Sequence, residues 1–97
     1  MATYIILFRF TQQGIQNIKE SPDRVDAAKK VFRDVGAEVK KFYSVMGQYD
    51  TVLIVEAPND ETIAKATLAI GSLGNVRTET LRAFTEDEYR KIVTSLP

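Results

Sequence analysis

The chain has 97 residues, 44% hydrophobic and 27% charged, and its 13 basic side chains balance 13 acidic ones. This length predicts a single domain, 1–97, and the balanced charge excludes the basic surface that nucleic acids and anionic membranes attract. Histidine and cysteine are absent, which excludes histidine- or thiolate-based catalysis and the common zinc and haem sites, so we expect no metal and no cofactor.

Residues 3–10 (TYIILFRF) predict the first strand, because they are β-branched or aromatic almost throughout. Both faces are largely apolar, which is typical of a strand in the middle of a sheet. Arg9 is the exception, near the end of the strand. The apolar run is too short for a membrane span or a secretory signal, so we expect a cytoplasmic protein.

The first helix is predicted to begin at Ser21, because serine caps helices and Pro22 suits the first helical position. Apolar residues then recur at helical spacing as far as Val35. Gly36 is the predicted left-handed stop.

A β-hairpin is predicted next, with strands at 38–46 and 51–57 joined through Gly47-Gln48-Tyr49-Asp50. The later strand contains the run VLIV, which is apolar on both faces. This strand is therefore also expected to lie in the middle of the sheet.

The rest of the chain predicts a helix, a strand and a terminal helix. Pro58–Glu61 begins the helix with acidic residues in its first turn, and Gly74-Asn75 ends it. Residues 76–84 (VRTETLRAF) form an unusually polar fourth strand. Thr85 and Glu88 have the spacing of a capping box, which begins a terminal helix with an apolar stripe.

The predicted order, β-α-β-β-α-β plus a C-terminal helix, is the α+β ferredoxin-like arrangement. Two helices that return to one face of a sheet leave the other face bare, although it carries leucine and valine. We expect a second copy of the chain to cover that face, sheet against sheet, in a homodimer or higher homo-oligomer.

The sequence resembles the GYD-domain family, which takes its name from residues matched here by Gly47, Tyr49 and Asp50. The family pattern is also matched, in order, by TYIILFRF at 3–10, SPDR at 21–24, VEAP at 55–58 and GNVRTETLRAF at 74–84. The resemblance implies a dimeric α/β-barrel of ferredoxin-like subunits and no particular activity.

The Gly-x-Tyr-Asp hairpin also resembles the effector-binding domain of Lrp/AsnC regulators, whose amino-acid effectors bind near this hairpin, between subunits. This likeness implies that Gly47, Tyr49 and Asp50 border a ligand site. The helix-turn-helix that precedes the domain in those regulators does not occur in this sequence, so we do not expect direct regulation of DNA.

We also expect structural roles for the hairpin residues. Gly47 is predicted either to have a positive φ at the turn or to leave room for a neighbouring chain. Asp50 is predicted to accept backbone N–H groups in an Asx-type turn, or alternatively to receive a ligand ammonium group or an arginine. For Tyr49 two roles stay open, packing over the sheet edge or offering its hydroxyl to a ligand.

Arg9, Tyr43, Glu56 and Arg82 are further candidates on predicted strands. Charged side chains are rare inside proteins unless they are paired, so one explanation is an arginine–glutamate salt bridge between subunits. The other is a guanidinium group that is free to hold a ligand carboxylate. The predicted ligand-binding residues are Arg9, Tyr43, Gly47, Tyr49, Asp50 and Arg82.

Three functions are compatible with these residues. The first is a small-molecule-binding homo-oligomer, either a sensor or a metabolite-handling module. The second is a cofactor-independent enzyme that uses the aspartate and tyrosine side chains as acid or base beside an arginine. The third is a protein-interaction domain. RNA binding, which RRM domains of the same strand order perform, is excluded because strand 51–57 offers no aromatic residue for base stacking.

Overall fold

The structure, a computed structural model, describes residues 1–97 and is built on a four-stranded antiparallel sheet. The order of the strands across the sheet is β2-β3-β1-β4. The strands are β1 (Ala2–Phe10), β2 (Glu38–Ser44), β3 (Thr51–Ala57) and β4 (Val76–Ala83). The two strands that are apolar on both faces, β1 and β3, are the central ones, as predicted.

Four α-helices connect and extend these strands. They are α1 (Gln12–Gln16), α2 (Ser21–Asp34), α3 (Asp60–Gly71) and α4 (Glu86–Thr94), with a 3₁₀ turn at Ile18–Glu20. The order β1-α2-β2-β3-α3-β4 followed by α4 confirms the ferredoxin-like α+β fold. No helix is both long and apolar enough to cross a membrane.

The core lies between the sheet and the pair α2 and α3. Alternate residues of the central strands point into it, and Phe32 of α2 is fully buried among them. The other core side chains of the strands and of α3 are Tyr4, Ile6, Phe8, Leu53, Val55, Ala57, Ile63, Ala66 and Ile70.

The residues between these core positions form the other side of the sheet, here called the open face. Because α2 and α3 both pack on the opposite side, apolar side chains of the open face are only partly buried in the single chain. Leu81 is 45% exposed. The cross-strand register places on this face Thr3, Ile5, Leu7, Arg9, Tyr43, Val52, Ile54, Glu56, Arg77, Glu79 and Leu81.

Three predicted boundaries were wrong. The helix α3 ends at Gly71 rather than at Gly74-Asn75. Ser21 is inside α2 rather than its cap, because the 3₁₀ turn runs directly into the helix and the Ser21 N–H donates to the Ile18 carbonyl. The second strand ends at Ser44 rather than Met46. The Val45 N–H instead donates to the Asp50 carbonyl at 3.0 Å, which closes the hairpin loop.

The outer strand β2 pairs only with β3, and its ladder is irregular. A bulge interrupts the register between Val39 and Lys41, so that Lys40 has no partner in the ladder. The other outer strand, β4, is polar, with Thr78, Glu79 and Thr80 in its middle.

The terminal helix α4 has the predicted capping box. The Thr85 hydroxyl accepts the Glu88 N–H, and the Glu88 carboxylate accepts the Thr85 N–H at 2.8 Å. This backbone hydrogen bond is the main cause that lowers the pKa of Glu88. No residue of α4 is buried, so the apolar stripe that contains Tyr89, Ile92 and Val93 is exposed.

Candidate functional site

The hairpin loop between β2 and β3 lies at the end of the sheet where β1 finishes. Gly47 has φ 117°, which confirms the prediction of a positive φ. A Cβ atom built at this position would meet nothing within 4 Å. Glycine is therefore required here by the backbone conformation and not by a crowded neighbour.

Asp50 ties this loop to β1. Its N–H donates to the Phe8 carbonyl at 2.8 Å, and its Oδ2 accepts the Phe10 N–H at 2.8 Å. Asp50 therefore accepts a backbone N–H, as expected, but the donor lies on β1 and not in a local Asx turn. The loop conformation and the end of the central strand are thus fixed by one side chain.

Tyr49 reaches across the end of β1 to β4. Its hydroxyl donates to Glu79 Oε2 at 2.9 Å, and the Arg9 guanidinium carbon lies 4.7 Å from the centre of its ring. Arg9 Nε in turn donates to the Gln48 carbonyl at 3.0 Å. A cation held over an aromatic ring and anchored by one hydrogen bond has a restricted orientation.

Arg9 has a second arginine as its cross-strand neighbour. Arg77 of β4 is directly opposite it in the β1–β4 register, so both side chains leave the same face of the sheet. The ion pairs of the chain all lie elsewhere, and no carboxylate is within 4.0 Å of either guanidinium group. Like charges in this arrangement destabilise a sheet unless something neutralises them.

We call these residues the hairpin corner. It consists of Arg9, Arg77 and Glu79 on the open face and the loop residues Gln48, Tyr49 and Asp50. Arg77 and Glu79 were not among the predicted site residues. Their alternation along the fourth strand places them on one face, but only the register of β4 against β1 shows that this is the face of Arg9.

Three predicted site residues lie outside the corner. Gly47 is next to it, in the same hairpin loop, and the other two lie farther away. Arg82 is opposite Tyr4, near the other end of β1, where its guanidinium group stacks 4.4 Å from the Phe84 ring and donates to the carbonyls of Thr3 and Ala83. Tyr43 is on the open face, opposite Val52 of β3, and its side chain is exposed.

Glu56, the other charged candidate, is opposite Thr3 on the open face and is half-buried. It forms no ion pair within the chain. A salt bridge between this carboxylate and an arginine of another subunit stays a prediction.

Tyr4 forms a polar contact that the sequence did not indicate. Its buried hydroxyl donates to Asp60 Oδ1 at 2.5 Å, at the start of α3. Burial raises the pKa of Tyr4, and the hydrogen bond to Asp60 raises it further. The phenol is therefore a stable donor that fixes α3 to the sheet.

No group of three or more acidic side chains is placed to hold a metal ion.

Comparison with known proteins gives a family match over most of the chain. The family model described as the GYD domain matches residues 4–93. A protein of Thermus thermophilus, named glutamine synthetase and cystathionine beta-lyase binding protein, is 38% identical over 84 residues, which are 86% of this chain and 88% of that protein.

Solved structures share the fold. TTHA0845 from Thermus thermophilus is 32% identical, with a TM-score of 0.57 over 88% of this chain and 95% of that one. The leucine response regulatory protein of Mycobacterium tuberculosis is 20% identical, with a TM-score of 0.62 over 89% of this chain and 54% of its own. The feast or famine regulatory protein of M. tuberculosis, complexed with L-methionine, is 21% identical and has a TM-score of 0.63. The match covers 90% of this chain and 54% of the length of that protein.

Proposed function

The chain belongs to the GYD domain family, and on that premise we propose that it is a homo-oligomeric binding module that holds a small anionic molecule at the hairpin corner. The observation that carries this proposal is the Arg9–Arg77 pair, two guanidinium groups on one face without a carboxylate within 4.0 Å. An anion with two charged oxygens would relieve their mutual repulsion and accept hydrogen bonds from both.

Arg9 is prepared for such a ligand. Its Nε–H is already used by the Gln48 carbonyl and its plane is held against Tyr49, whereas neither Nη group donates a hydrogen bond within the chain. Four N–H groups of a fixed guanidinium therefore remain for a carboxylate or phosphate. A donor that is already oriented loses less entropy when a ligand binds.

The open face supports self-association as part of the same proposal. It presents Ile5, Leu7, Val52, Ile54 and Leu81 beside the hairpin corner. A chain of this length buries only roughly 60–65% of its unfolded surface by itself, and a second copy packed on this face would bury more. The corner would then border the seam between subunits. A cytoplasmic location, which completes this proposal, rests on the sequence.

The test compares succinate with its uncharged diamide, succinamide, by isothermal titration calorimetry and by the melting temperature. We expect succinate to bind and to raise the melting temperature, and succinamide to have no effect. Arg9→Gln combined with Arg77→Gln should lower the affinity for succinate by about ten- to a hundredfold, the worth of one or two hydrogen bonds to charged groups.

Arg33→Gln is the matched control for this test, because Arg33 is exposed on α2 and its side chain forms no ion pair. Phosphate and a series of dicarboxylates of increasing length extend the search if succinate itself is too short. The proposal is wrong if no member of the series binds, or if the double variant binds as tightly as the parent.

A second function, binding of a protein partner, is favoured by a different observation. The relative from Thermus thermophilus carries the name of a protein that binds glutamine synthetase and cystathionine beta-lyase, and the exposed apolar stripe of α4 offers a surface of the kind that helix-binding grooves recognise. We propose that α4 would dock a metabolic enzyme. Ile92→Glu should then abolish capture of these two enzymes from the source organism, whereas Leu68→Glu on α3 should not.

Catalysis is not part of the proposal. The acid–base groups of the corner are Tyr49, Asp50 and Glu79, and all three form hydrogen bonds within the chain. No specific observation favours a reaction over binding.

A further inference from the structure

The helix-covered side of the sheet contains a cavity of about 110 Å³ between α2 and the strands, here called the α2 cavity. Eleven of its fifteen lining residues are hydrophobic, so an occupant would be largely apolar. On the helix side the lining includes Ala28, and the short side chain of an alanine leaves space between α2 and the strand residues Phe8 and Leu53.

The cavity has the size of a small aliphatic group. An engineered cavity of about 150 Å³ in another protein binds benzene, so a slightly smaller one suits about four to six carbon atoms. Its lining includes Phe42, which is 37% exposed, and Leu73, which is 64% exposed. These exposed side chains form a mouth through which a ligand can enter.

Arg24 is the one charged residue in the lining. Its Nη1 donates to the Asn17 carbonyl at 2.8 Å and its Nη2 to the Gly14 carbonyl at 3.0 Å. Two hydrogen bonds fix the plane of the guanidinium, and three of its five N–H groups remain for another acceptor. No carboxylate lies within 4.0 Å of it, so a half-buried positive charge beside an apolar cavity has no counter-ion in the chain.

We propose that the α2 cavity binds a small aliphatic monocarboxylate, with four to six carbon atoms inside the cavity and the carboxylate on Arg24. The cavity supplies the apolar contact, and the guanidinium supplies charge-assisted hydrogen bonds. This site is separate from the hairpin corner, because it lies on the helix-covered side of the sheet and uses none of the corner residues.

The experiment titrates the full chain with 4-methylpentanoate and with 4-methylpentanamide, which has the same shape without the charge. Calorimetry gives the affinities, and backbone amide shifts in NMR spectra locate the ligand. We expect the acid to bind at least tenfold more tightly than the amide and to shift Phe8, Val25 and Ala28. Increasing the salt concentration should lower the affinity for the acid and leave the affinity for the amide unchanged.

Two kinds of variant separate this site from the corner. Arg24→Gln should lower the affinity for 4-methylpentanoate at least tenfold, whereas Arg33→Gln should not change it. Ala28→Leu, which fills the cavity with a good helix former, should abolish binding while the chain stays folded. Ala27→Leu, at an exposed position of the lining, takes its place if the more buried substitution prevents folding.

The result that overturns the proposal is equal affinity for acid and amide, or binding that Arg24→Gln leaves intact. Absence of binding for every acid from propanoate to octanoate overturns it equally. If the double variant of Arg9 and Arg77 loses 4-methylpentanoate and Arg24→Gln keeps it, the acid binds at the corner; this inference then fails and the proposed function stands. If Arg24→Gln loses 4-methylpentanoate and the double variant keeps it, the acid binds in the α2 cavity. Binding at the corner is then tested only by the succinate experiment.

Discussion

The carboxylate of Asp50 accepts the backbone N–H of Phe10 at 2.8 Å, and the Asp50 N–H donates to the Phe8 carbonyl at the same distance. One residue of the hairpin loop thus forms two hydrogen bonds with the end of the central strand β1. The geometry gives Asp50 a structural role that is independent of any ligand.

We therefore expect Asp50→Ala to lower the free energy of unfolding by about 1–2 kcal/mol, because the partly buried Phe10 N–H loses its acceptor. Asp50→Asn keeps an acceptor oxygen of the same shape and should cost less than half as much. Urea denaturation measures both. Equal stability of the parent and the alanine variant would show that this hydrogen bond does not stabilise the hairpin.

Gly47→Val should destabilise the chain by about 1–3 kcal/mol, because its φ of 117° is strained for any residue with a Cβ atom. Gly71→Ala is the matched control. Gly71 ends α3 with no positive φ and with open space around it, so alanine there should be neutral or stabilise by up to about 1 kcal/mol. The urea midpoint of Gly47→Val should fall below that of the parent, whereas the midpoint of Gly71→Ala should stay the same or rise.

Tyr4→Phe should lower the free energy of unfolding by about 1 kcal/mol at neutral pH, because it removes the hydrogen bond to Asp60. The pKa of Tyr4 is raised in the folded chain above its ordinary value of 10.0. A raised pKa of this kind gives a stability contribution that is complete below the unfolded pKa and is lost as pH rises through the folded pKa.

The difference in unfolding free energy between the parent and Tyr4→Phe should accordingly be constant from about pH 6 to pH 9 and shrink above pH 10. Tyr89→Phe, at an exposed position of α4, should leave the pH profile of the parent unchanged. If the difference in unfolding free energy between the parent and Tyr4→Phe is the same at pH 11 as at pH 7, the raised pKa is contradicted.

Leu81→Glu should shift the chain toward the monomer in sedimentation velocity, if copies associate through the open face. Leu81 is 45% exposed on that face, whereas Leu68 is 74% exposed on α3. A charge in an apolar contact has a high desolvation cost, so Leu68→Glu should sediment like the parent. A parent that is already monomeric at micromolar concentration would remove the self-association from the proposed function.

The fold could be predicted from the sequence because its signals are local. The apolar character of both faces in TYIILFRF and VLIV identified the central strands, and Thr85 with Glu88 identified the start of α4. The start of α2 was wrong because the local signal of Ser21-Pro22 was overridden by the 3₁₀ turn before it. A cap is decided by the conformation of the preceding residues, which the capping pattern alone does not contain.

The hairpin residues of the candidate site could be predicted because they are neighbours in the chain, and Arg9 because it is the one charge on an otherwise apolar strand. Gly47, Tyr49 and Asp50 share one loop, and their positions followed from the hairpin. Arg77 depends on the register between β1 and β4, which the packing of the whole sheet determines. The same register places Arg82 opposite Tyr4, five residues before Arg9 along β1, which is roughly 17 Å away.

The irregular ladder at Lys40 limits how copies of this chain can assemble. The bulge bends the free edge of β2, and the charged side chain of Lys40 lies at this bulge. Another strand that paired with this edge would have to bury that charge. Edge-to-edge growth into fibres is thereby disfavoured. The proposed association through the open face is not affected, and if that contact is isologous it closes on itself in a dimer.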